Sequence, residues 1–139
     1  MAESPQVSSR YLLDTHIVVR WLTEPKKLSA RRSRALREAM RRREPVSVSA
    51  ISLLEIAVLF GRDRAGASAA DDIFGALQSN AALQIEPLTI EVAAEVAALG
   101  AALRDPADRA IVCTARVRGL RLLTSDERII DSQLVPVLG

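Results

Sequence analysis

Val46-Ser47-Val48-Ser49-Ala50-Ile51-Ser52-Leu53-Leu54-Glu55-Ile56-Ala57-Val58-Leu59-Phe60 begins as a short strand behind Pro45 and continues as a helix that fades at Gly61. From Ala50 to Phe60 the only polar residues are Ser52 and Glu55. At helical spacing the neighbours of Glu55 are Ile51, Ser52, Val58 and Leu59. A helix that is apolar on every side is expected to be buried. A carboxylate inside it must be protonated, paired or bound to a cation, because burying a bare charge is very costly. Glu55 therefore needs a partner.

The same strand–helix alternation extends in both directions. Tyr11-Leu12-Leu13 reads as a first strand, and Thr15 as the cap of a helix over residues 17–22 that Pro25 closes. Ser29 caps a second helix over residues 30–43, ended by Pro45. Beyond Gly61, residues 62–70 read as a loop, 71–79 as a helix and 83–85 as a strand. Pro87 and Thr89 start a helix over 90–99. Asp105-Pro106 opens another that runs to Arg118 and stops at Gly119. Leu120–Thr124 reads as a strand, 126–131 as a short helix and Val135–Leu138 as a last strand. This alternation predicts an α/β fold, a mostly parallel sheet of four to five strands covered on both faces. No repeat or linker divides it, so a polar tail over residues 1–9 precedes one domain over residues 10–139.

A chain of 139 residues suits one domain without staples. The hydrophobic share of 49% excludes a disordered composition. Cys113 is the only cysteine, so no intrachain disulfide forms, which suits a reducing compartment. The chain opens without a basic-then-apolar leader, and its longest apolar run is too short to span a membrane. A soluble, cytoplasmic protein is expected. The formal net charge is only +2, but arginines crowd residues 31–43. Arg31, Arg34 and Arg41 in that run are candidate phosphate contacts, and a solvated helix face is the plainer alternative.

Four carboxylates fall at similar places in this architecture. Asp14 ends the first strand, Glu55 lies in the helix after the second, Asp108 opens the late helix, and Asp126 follows the Leu120–Thr124 strand. Ligands of open parallel sheets gather beyond the carboxyl ends of the strands. Each acid also has a local explanation. Asp14 suits a turn, Asp105 to Asp108 resembles a capping box, Asp126 suits a helix start, and Glu55 could pair with Arg109 or Arg20. Taken together, a crowd of carboxylates on one rim repels itself unless a divalent cation sits among them. Oxygen-only donors favour Mg²⁺ or Mn²⁺, and the single histidine (His16) and single cysteine make no zinc site of the usual kind.

Leu12-Leu13-Asp14-Thr15-His16, Ser52-Leu53-Leu54-Glu55-Ile56, Asp105-Pro106-Ala107-Asp108-Arg109 and Leu123-Thr124-Ser125-Asp126 resemble, in order and spacing, the four signature blocks of PIN-domain ribonucleases. Within them the chain is most similar to the VapC-type toxins of toxin–antitoxin pairs. One departure is Ala101-Ala102-Leu103-Arg104, where many relatives place a histidine. The resemblance implies a PIN-like α/β/α sandwich with catalytic, metal-holding acids at Asp14, Glu55, Asp108 and Asp126. It also implies an Mg²⁺-dependent endoribonuclease, a homodimer and a small cognate antitoxin. Thr15, Ser52 and Thr124 are placed as supporting hydroxyls, and Arg109 as a support of Asp108 or a phosphate contact. The alternatives are an RNA-binding module without hydrolysis and a receiver-like phosphoacceptor. The latter needs a lysine on the same rim, and the only lysines, Lys26 and Lys27, sit in a loop beside Pro25.

Overall fold

The computed structural model describes residues 9–63, 66 and 68–138, so nearly all of the expected tail lies outside the described residues. Five strands form one sheet: β1 (Tyr11–Leu13), β2 (Val46–Ser49), β3 (Leu83–Glu86), β4 (Arg121–Leu123) and β5 (Val137–Leu138). Seven helices are distributed among them: α1 (Thr15–Thr23), α2 (Ala30–Arg41), α3 (Ala50–Leu59), α4 (Ala69–Ser79), α5 (Ile90–Ala98), α6 (Pro106–Arg118) and α7 (Glu127–Ser132). The strand order is β3-β2-β1-β4-β5 and every pairing is parallel.

Successive strand residues face opposite sides of a sheet. Leu13 and Leu123 accordingly enter one apolar cluster with Ile17, Val48 and Ile56, while Leu12 and Leu122 enter another with Ile111, Val112 and Ile129. Both faces are covered by helices, which is why the central strands read as unbroken apolar pairs. Cys113 belongs to the buried residues of α6.

Local chemistry sets the boundaries. Ser29 and Thr89 cap α2 and α5 as the sequence suggests. Asp14, rather than Thr15, caps α1, its side chain accepting from the Thr15 N–H. The helix of residues 30–43 stops earlier, at Arg41, because Arg43 turns left-handed at φ 56° and the Glu44 N–H bonds back to the Ala39 carbonyl. Ser68 caps α4, which therefore starts inside the expected 62–70 loop. Gly119 ends α6 at φ 68°, a conformation that suits glycine.

α3 departs from the expectation in an informative way. Ser52 and Ile56 are buried, but Leu54, Val58 and Leu59 are 59%, 75% and 55% exposed. The helix is apolar all round, yet the rest of the described chain leaves this flank largely uncovered. Its uniform hydrophobicity says that the flank favours cover, not that this chain supplies it.

Candidate active site

The parallel register builds the site. Leu13 of β1 lies level with Leu123 of β4 and Val48 of β2, so the residues after these strands share one rim. Asp14 follows β1, its N–H bonding to the Leu123 carbonyl at 2.9 Å. Its carboxylate is buried and held from two sides. Oδ1 accepts from the Thr15 N–H at 2.8 Å, and Oδ2 accepts from the Thr124 hydroxyl at 2.7 Å. The same Thr124 oxygen accepts from the Asp126 backbone N–H at 3.0 Å, so one hydroxyl links the Asp14 carboxylate to the backbone of residue 126. On the other side the Thr15 hydroxyl donates to Glu55 Oε1 at 2.5 Å and lies 2.8 Å from Ser52 Oγ. Glu55 thus meets a hydroxyl, and neither Arg20 nor Arg109 pairs with it.

Asp108 reaches the rim from α6. Its N–H donates to Asp105 Oδ1 at 3.0 Å, so Asp105 is the cap and Pro106 takes the first turn. The Asp108 carboxyl is pushed up from 3.8 to about 6, first by burial and then by the negative charges of Asp105, Asp14, Asp126 and Glu55. Burial likewise raises Asp14, partly offset by the bonds from Thr124 and Thr15. Asp126 goes the other way. Burial lifts it, but Arg128, through its side chain, backbone and charge, brings it below the ordinary carboxylate range. Arg128 Nη2 lies 3.2 Å from Asp126 Oδ2 and 4.0 Å from Asp108 Oδ2.

Three acids whose charges are felt at the fourth, Asp108, and a cation already drawn toward two of the four, fit a divalent ion held by oxygen. Among the described residues, no three His, Cys, Asp or Glu side chains form a ready-made cage. Both Asp14 oxygens accept hydrogen bonds, and Arg128 lies beside Asp108 and Asp126. A cavity of about 730 Å³ among Arg10, Glu95, Arg116 and Arg121 opens at the opposite ends of the strands and contains none of the four acids.

The family model described as "PIN domain" matches residues 11–132, a span that contains all four acids. This chain belongs to the PIN-domain family. It is 37% identical over 120 residues to Ribonuclease VapC22 of Mycobacterium tuberculosis (strain ATCC 25618 / H37Rv), covering 85% of this chain and 88% of that protein. Two solved structures share the fold. VapBC2 from Rickettsia felis, bound to a DNA fragment from its promoter, superposes with a TM-score of 0.70 at 15% identity, over 92% of this chain and 96% of that one. FitAcB from Neisseria gonorrhoeae gives 0.65 at 23% identity, over 93% and 96%.

Within this PIN domain the remaining candidates divide. Thr15 and Thr124 bond directly to the Glu55 and Asp14 carboxylates, and Ser52 meets the Thr15 hydroxyl behind them. Arg109 bonds elsewhere. Its Nη1 donates to the Gly100 and Leu103 carbonyls at 2.6 Å each, and its Nη2 to the Val96 carbonyl at 2.9 Å. The guanidinium therefore stitches the α5–α6 connection, which corrects the expectation that it supports Asp108 or meets a phosphate. Arg31 and Arg34 are exposed on α2, while Arg41 is exposed but pairs with Glu38. Two residues at the rim escaped the sequence reading. Arg128 did so although it follows Asp126 by two positions in a capping segment. Arg32 was hidden in an arginine run, and its Nη2 donates to the Thr124 carbonyl at 3.0 Å.

Proposed function

We propose that this chain is a divalent-cation-dependent endoribonuclease, the toxin member of a toxin–antitoxin pair. The observation that carries the reading is the rim itself. The Thr124 hydroxyl joins the Asp14 carboxylate to the Asp126 backbone N–H, Glu55 takes the hydroxyl of Thr15, and Asp108 lies in the electric field of Asp14, Asp126 and Glu55. The family membership and the resemblance to Ribonuclease VapC22 support it.

Asp14 and Asp108 would hold Mg²⁺ or Mn²⁺ directly, with Glu55 and Asp126 completing the set. The ion would supply Lewis acidity, activating water near neutral pH and offsetting charge on the phosphoryl oxygens. The protein's own work is positioning. Thr124 and the Thr15 N–H fix the Asp14 carboxylate, and the Thr15–Ser52 hydroxyl pair orients Glu55. The Asp108 proton must leave before its oxygens can serve as ligands, and Arg128 must swing aside from Asp108 and Asp126.

Such hydrolysis does not use the ribose 2′-hydroxyl. Cleavage should need a divalent cation, stop with EDTA, and leave 5′-phosphate and 3′-hydroxyl ends. Asp14→Asn should remain folded and lose cleavage. Cyclic-phosphate ends, or full cleavage by metal-stripped protein, would point to another chemistry, and RNA binding without cleavage would favour the non-hydrolytic module. Mapping 5′-ends in cellular RNA after induction, with Asp14→Asn as control, would identify the target.

The partners follow the same reading. The open flank of α3, with Leu54, Val58 and Leu59, supports a homodimer or a cover by a small antitoxin protein. Among the described residues no helix is long and apolar enough to cross a membrane, which accords with a cytoplasmic site of action.

A further inference from the structure

Arg20 and Arg32 form an unusual pair beside the acids. Neither makes an ion pair among the described residues. Arg32 is half-buried, and burial, followed by the charge of Arg20, holds it below the ordinary arginine range. Its Nη2 rests on the Thr124 carbonyl at 3.0 Å, and its Nε is buried with no hydrogen-bond partner, the one such side-chain atom among the described residues. The Thr124 hydroxyl is bonded to Asp14. Arg32 therefore stands one residue away from the most buried acid of the site. Arg20 follows His16 by one helical turn on α1, the helix that Asp14 caps, and both line the groove between α1 and α4.

A buried donor without an acceptor and two adjacent guanidiniums without a counter-ion are both unfavourable arrangements. An incoming oxoanion removes both defects. A nuclease site made of carboxylates also repels its own substrate, so a phosphodiester needs fixed positive charge close by.

We propose that Arg32, assisted by Arg20, is the phosphate-positioning arm of this site: parked on the Thr124 carbonyl without RNA, it turns to grip a backbone phosphate next to the scissile one. The proposal rests on the ribonuclease reading above. The Arg32 fork suits a phosphate's paired oxygens, and its resting place on Thr124 lies beside the acids rather than on the outer surface. Arg31, Arg34 and Arg41 of the same helix have no such anchor.

The test measures binding of a fluorescein-labelled RNA hairpin by anisotropy in EDTA, across a salt series, with cleavage in Mg²⁺ measured in parallel. Arg32→Gln should weaken binding by about tenfold and lower the salt slope by about one phosphate contact. Arg32→Lys should keep the slope and recover part of the affinity, because the charge remains and the fork is lost. Arg20→Gln breaks no side-chain hydrogen bond or ion pair among the described residues, so it should fold normally and weaken binding severalfold. If Arg32→Gln unfolds, the Arg32→Lys and Arg20→Gln results decide alone. Exposed Arg37→Gln is the control and should leave binding near the wild type. If wild-type protein cleaves RNA while the Arg32 and Arg20 variants match it in affinity, slope and KM, the arm is refuted and the nuclease reading survives. If these variants lose binding to an acidic peptide but not to RNA, the pair serves a protein partner and the proposal fails. If wild-type protein neither binds nor cleaves RNA, both readings fall.

Discussion

Asp108→Asn should make the metal-free protein more stable while removing its response to divalent cations. Burial and four neighbouring carboxylates move this group from 3.8 to about 6, so the folded chain holds the proton more tightly than the unfolded chain. The sign follows. The folded state is favoured while Asp108 is protonated in it, and that advantage is lost as pH rises from about 4 through about 6. At full strength the interval corresponds to ~3 kcal/mol of repulsion at neutral pH. Asp108 sits at a solvated rim, so screening reduces the expected gain to about 1–2 kcal/mol. For a domain of this size that is a rise in Tm of about 3–6 °C. The lost contact with Arg128, at 4.0 Å and on a side chain 77% exposed, offsets little. The assay is thermal unfolding in EDTA at pH 7.5 and again at about pH 3.5, where the two proteins should converge. Added Mg²⁺ should then raise the Tm of the wild type and not of the variant. A variant that melts at or below the wild type at pH 7.5 would refute the reasoning, as would a gap unchanged in acid.

At subsaturating Mg²⁺, cleavage should rise about tenfold per pH unit below about 6, as metal-free Asp108 loses its proton, and level off above; a flat profile under those conditions would contradict the proposed role of its carboxylate. Thr124→Val removes the hydroxyl shared by Asp14 and the Asp126 N–H; it should cost about 1.5–3 kcal/mol in a urea melt and reduce cleavage by about 10–100-fold. Arg109→Met leaves three carbonyls without their donor; stability should drop by about 2–4 kcal/mol while the folded fraction keeps its activity, and lost activity at full stability would return Arg109 to the site. Val58→Glu places a charge on the open flank of α3; light scattering should find a dimeric wild type and a monomeric variant, and a wild type already monomeric would count against the homodimer.

Much of the fold was legible because its signals are local. Ser29, Thr89, Asp105-Pro106 and Gly119 mark helix ends through bonds and backbone angles that involve only near neighbours. The order of strands and helices follows from the same signals, and the four acids stand out by their positions after strands or inside an apolar helix. The less legible parts depend on what lies across the molecule. Thr15 resembles a cap but is bonded to residues 37 and 40 positions away. Arg109 follows Asp108 directly, yet its guanidinium points back to the end of α5, because consecutive helical residues face different ways.

A parallel α/β chain with acids at its strand ends can be read from the residues alone, since strand periodicity, caps and apolar runs are properties of neighbouring residues. It takes the folded molecule to show that the Thr124 hydroxyl holds the Asp14 carboxylate, that Arg32 rests on Thr124 with an unsatisfied nitrogen, and that α3 keeps an apolar flank in the open. Those facts depend on register and on which surfaces meet. Hydrogen bonds and burial join residues more than a hundred positions apart, and no local pattern records them.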